Sequence, residues 1–71
     1  METMTEQFYV ESTTGEYLMD GGGWAADRED GRAFEDFEAA CKTAEVIAMA
    51  GFPVEVIKAG NGVYEDVVYA A

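Results

Sequence analysis

Histidine is absent from this chain, cysteine and proline occur once each, and only four lysines and arginines stand among its 71 residues. Each shortage excludes something. Without histidine, the thiol of Cys41 has no imidazole to activate it, and no cysteine–histidine set exists to hold a structural metal. A single cysteine forms no internal disulfide, which suits a reducing cytoplasm. No run approaches the ~20 apolar residues of a membrane-spanning helix, and Met1-Glu2-Thr3-Met4 is acidic where a signal peptide is basic. The expectation is a cytoplasmic protein that engages no membrane. Scarce positive charge also makes nucleic acid a poor direct partner and a basic protein a good one.

Acid is what the chain has in quantity. Fifteen Asp and Glu residues bring the net charge to −11, whereas solubility needs a magnitude of only roughly 2–8. Self-repulsion of that size works against compactness, so the excess calls for an explanation. With 49% hydrophobic and 13% aromatic residues the chain is nevertheless composed like a folded protein. Its length gives one domain over residues 1–71, with residues 1–5 expected to fray. Such a domain buries only about 60% of the surface that its unfolded form exposes.

Residues 36–51 are the one stretch periodic enough for a full helix. At about 100° per residue, Phe37, Ala40, Cys41, Ala44, Ile47 and Ala48 fall on one narrow stripe of mostly small side chains, suited to lying against a sheet. Asp36 is placed to cap the helix, Gly51 and Pro53 to end it, and Phe34 to pin its start by packing. Residues 6–12 read as a strand, followed by a three-residue loop Thr13-Thr14-Gly15 that sets Ser12 opposite Glu16 and Val10 opposite Leu18. Trp24-Ala25-Ala26 reads as a short third strand. Residues 53–58 and 63–69 form a second hairpin around Asn61-Gly62, with Lys58 opposite Glu65, Val56 opposite Val67 and Val54 opposite Tyr69. The expected fold is α+β: an antiparallel sheet of four to five strands, with one helix packed on one face, in the order β-β-(β)-α-β-β.

Specific chemistry is hard to place on this pattern. Gly21-Gly22-Gly23 is followed by Trp24-Ala25-Ala26 instead of the Lys and Ser or Thr of a phosphate loop. Residues 27–38 span a calcium loop's length with acids at both ends, but Gly31 and Arg32 stand at its fifth and sixth positions. No pair of carboxylates is singled out for acid–base work, so no catalytic residue, metal ligand or cofactor is expected and the chain reads as a non-enzyme.

The acid cluster is the remaining signal. Asp27, Glu29, Asp30, Glu35, Asp36 and Glu38 crowd together, with Asp20 near them in sequence. Regularly spaced carboxylates imitate the charge of a nucleic-acid backbone, and the alternative is a solvated face with Asp36 merely capping the helix. Tyr9, Tyr17 and Tyr64 are expected to share the uncovered face of the sheet. Val46 and Met49 lie off the helix stripe, where polar residues would be usual.

A tiny, acidic, histidine-free domain with Phe8-Tyr9-Val10, Gly15-Glu16-Tyr17-Leu18, Gly23-Trp24 and an alanine-rich helix is similar to small proteins of phages and mobile elements. Among these it resembles the anti-CRISPR proteins that act as DNA mimics. The resemblance implies a stoichiometric inhibitor in a bacterial host, occupying the DNA-binding groove of a defence complex such as a type I CRISPR surveillance complex. The residues expected to meet the partner are Asp20, Asp27, Glu29, Asp30, Glu35, Asp36, Glu38, Tyr9, Tyr17 and Tyr64. A small adaptor or regulatory protein, binding through the tyrosine face, is the alternative.

Overall fold

The computed structural model describes residues 6–60 and 65–71. The expected fraying of residues 1–5, the Asn61-Gly62 turn and Tyr64 lie outside them. The chain runs through β1 (Glu6–Ser12), β2 (Tyr17–Leu18), β3 (Trp24–Ala25), a 3-10 turn (Arg28–Asp30), α1 (Phe37–Met49), β4 (Val54–Gly60) and β5 (Glu65–Ala70). The five strands form one antiparallel sheet in the order β3-β2-β1-β4-β5, with α1 on one face. This is the α+β architecture read from the sequence.

The first strand occupies the centre because the helix carries the chain across the sheet and returns β4 antiparallel beside it. Val10, Val54 and Val56 point to the helix and are fully or almost fully buried. Ala40 and Ala44 of α1, both 0% exposed, meet them, and their small side chains let the helix lie close. Cys41 and Ile47 pack at the margin, while Phe37 stays 42% exposed with its ring 5.4 Å from that of Phe8. Asp36 caps the helix, its carboxylate accepting from the Glu38 backbone N–H at 3.2 Å. At the other end Gly51 takes φ 99°. Its N–H donates to the Ala48 carbonyl at 3.0 Å and that of Phe52 donates to Ile47 at 3.3 Å, so these two carbonyls of the last turn are satisfied as the chain turns away.

The first hairpin has the expected register. Glu11 lies opposite Tyr17, and the Ser12 N–H donates to the Glu16 carbonyl at 2.7 Å.

The second hairpin does not. Lys58 faces Asp66 instead of Glu65, Ile57 faces Val67, and Val56 faces Tyr69, with a bulge at the Val56/Ile57 step. The extra residue on β5 lets Val67 lie over Ile57 on one face while Tyr69 reaches the helix on the other. Tyr69 then donates its hydroxyl to the Glu45 carboxylate at 2.7 Å, a contact between β5 and α1 that no pairing rule within the hairpin contains.

Phe34 does more than pack. Its N–H and C=O both bond to Phe8 at 2.8 Å, an antiparallel bridge on the edge of β1 away from β4. That is the edge β2 also uses, so residues 19–33 are an excursion from a single line of pairing. The Arg32 N–H closes its base by donating to the Leu18 carbonyl at 2.7 Å. Phe34 itself is buried in the core beneath α1.

Candidate interaction surface

The excursion carries Asp20, Asp27, Glu29 and Asp30, all exposed. Glu35, Asp36 and Glu38, also exposed, follow where the chain rises into the helix. Three local devices hold this charged run in place. The Leu18–Arg32 and Phe8–Phe34 bonds fasten its base. The Arg28 guanidinium lies 5.8 Å from the centre of the Tyr9 ring, and that of Arg32 lies 4.5 Å from the Phe34 ring. Both arginines of the acidic stretch thus fold onto aromatic rings, where a cation is attracted by the π face. Gly31 is pressed against Tyr17, and a Cβ there would stand 2.8 Å from the Tyr17 Cβ. Only a residue without a side chain fits so close an approach.

These contacts join two features that the sequence kept apart. The excursion lays its 3-10 turn against Tyr9 and Tyr17, so part of the acid cluster borders the sheet face opposite α1. The tyrosines, however, offer that surface little. Tyr9 is only 9% exposed, packs with Ile57 and Ala59, and donates its hydroxyl to the Gln7 amide oxygen at 3.1 Å. Tyr17 is half-buried, edge-on to Tyr9 with ring centres 6.4 Å apart. Tyr64 lies outside the described residues.

Apolar exposure concentrates at the C-terminal end of α1. Val46, Met49 and Phe52 are 67%, 86% and 59% exposed. Beside them an open cleft of about 380 Å³ is lined by Leu18, Trp24, Ile47 and Ala50 as well as Val46 and Phe52. A smaller cleft of about 270 Å³, lined by Ser12, Thr14, Glu16 and Pro53, shares Trp24 and Phe52 with it. Sequence reasoning found Val46 and Met49 but missed Phe52. The available signal was a large apolar residue directly after the glycine that stops the helix, the position that turns back over the last helical turn.

The remaining reactive groups are subdued. Burial pushes the Cys41 thiol up, and the nearby carboxylates of Glu45 and Glu38 add to it, which favours the unreactive protonated form. Tyr69 is pushed up chiefly by its hydrogen bond to Glu45. Among the described residues no group of three or more Cys, Asp or Glu side chains is placed to hold a metal ion, and no helix is long and apolar enough to cross a membrane. No protein-family model, curated protein or solved structure matches the chain.

Proposed function

We propose that this chain is a non-enzymatic acidic inhibitor that occupies the nucleic-acid-binding groove of a basic protein and blocks its nucleic acid. The observation that carries this reading is the fastened excursion, whose acids are exposed while its arginines lie on Tyr9 and Phe34. A groove built for a duplex rewards negative charge fixed in position, because a preordered array pays little ordering entropy on docking. The resemblance to DNA-mimic anti-CRISPR proteins points to a bacterial defence complex, with a type I CRISPR surveillance complex as the partner to test first.

The test changes Asp27, Glu29, Asp30 and Glu35 together to Asn or Gln, leaving Asp36 to cap the helix. Competition with duplex DNA for the purified complex should weaken by more than roughly tenfold, and its salt dependence should flatten. Full competition by the neutralised protein would reduce the acids to a solvated face. A second reading, an adaptor that binds through apolar contacts, is favoured by the exposure of Val46, Met49 and Phe52. Binding of that kind should persist at high salt, where mimicry fails.

A further inference from the structure

The cleft between Trp24 and the end of α1 is unused by a charge mimic. We infer that it is a docking site for a lysine- or arginine-bearing amphipathic segment of a protein partner, which inserts an apolar side chain between Trp24, Ile47 and Phe52. Its volume of about 380 Å³ falls within the range of roughly 300–1,000 Å³ that ligand sites occupy. Leu18, Val46 and Ala50 complete an apolar lining, and Met49 projects beside it at 86% exposure.

Charge decides what kind of segment fits. The last turn of α1 contains no basic residue, so the negative end of the helix dipole opens at the cleft uncompensated from within the helix. Asp20 is exposed on the turn that brings Gly22 to the lining, and Glu16 lines the adjoining cleft. None of the chain's four cations lines the cleft. Arg28 lies over Tyr9, Arg32 over Phe34, Lys58 opposite Asp66, and Lys42 one helical turn before Val46. An apolar anchor flanked by positive charge therefore meets complementary chemistry at both levels, whereas an acidic segment is repelled. The inference shares with the proposed function only the positive charge of the partner.

Trp24 is the chain's one tryptophan, so its fluorescence reports the cleft directly. The probe is a synthetic helical peptide of about 15 residues, with leucines on one face and lysines on the other. Titration should give a saturable blue shift of Trp24 emission. Replacing the leucines by serine, or the lysines by glutamate, should weaken binding by roughly tenfold or more. Val46→Ser with Met49→Ser, at positions exposed enough for the fold to tolerate the change, should do the same, while far-ultraviolet circular dichroism stays unchanged. Neutralising Asp27, Glu29, Asp30 and Glu35 should leave the blue shift in place, so failure of the mimic reading and failure of this one are separately visible. Equal binding of the serine peptide, equal binding of the glutamate peptide, or full binding by the Val46/Met49 variant would each overturn the assignment. A Trp24 shift that grows with protein concentration in the absence of peptide would assign the cleft to a second copy of the chain and overturn it as well.

Discussion

One face of the sheet is closed by α1, whose Ala40 and Ala44 settle onto Val10, Val54 and Val56. The other buries Ile57, Tyr9 and Ala59 with help from a turn that sets Arg28 over a ring and Gly31 against Tyr17. The helix face is held mainly by apolar burial, with a hydrogen bond at its margin from the Tyr69 hydroxyl to the Glu45 carboxylate. The opposite face is bordered by a segment whose carboxylates must remain in water, and its closure is shallower. Small side chains let the helix lie close on the first face, and a turn laid against Tyr9 and Tyr17 covers part of the second. Both faces bury apolar side chains, and only the second is bordered by a run of exposed carboxylates.

Removing Phe34 attacks the first face and should have the largest effect. Phe34→Ala should lose about 3–5 kcal/mol by the usual cost of deleting a buried aromatic ring. A domain of this length has only about 4–10 kcal/mol at roughly 0.05–0.15 kcal/mol per residue, so the urea midpoint should collapse. Ile57→Ala, on the opposite face, should cost less. An equal or larger loss at Ile57 would erase the difference between the faces.

Gly31→Ala sharpens the comparison from the other side. Its new Cβ has no room against Tyr17, and the strain of displacing the turn should cost about 1–3 kcal/mol. Hydrogen exchange should rise at residues 28–32 while α1 stays protected. Global loosening, with α1 amides exchanging as fast as the turn, would show that both faces fold as one unit.

Alkaline pH tests the helix face with the smallest expected effect. Cys41 and Tyr69 both hold their protons more tightly when folded than when unfolded. Their contribution is complete below the ordinary thiol and phenol ranges, about 8.5 and about 10, and is lost as pH rises through the raised folded values. The melting temperature should therefore decline from about pH 8 towards pH 11. Tyr69→Phe should flatten the upper part of that decline and Cys41→Ala the lower part. An unchanged slope in both variants would remove these two groups from the account.

Much of the fold was legible because its signals are local. Asp36 caps and Gly51 ends the helix through bonds to residues within a turn of them. The Thr13-Thr14-Gly15 loop fixes its own register through Ser12 and Glu16, which sit at its two ends. The second hairpin broke this pattern because its register answers to contacts outside the hairpin. The bulge goes with Tyr69 reaching Glu45 of α1, a gain that is not visible from β4 and β5 alone.

The candidate surface divides the same way. Composition and the periods of two and 3.6 residues account for the excess of acid, the crowding of carboxylates in residues 27–38, the helix with its small-residue stripe, and a sheet of four to five strands. Tertiary contacts alone set the departure and return of residues 19–33 at one edge of β1, the placing of Arg28 and Arg32 over aromatic rings, the burial of Tyr9, and the meeting of Phe52 and Trp24 across a cleft. Those outcomes depend on which residues distant in sequence share a few ångströms of space, and burial, close approach and π contact are set there.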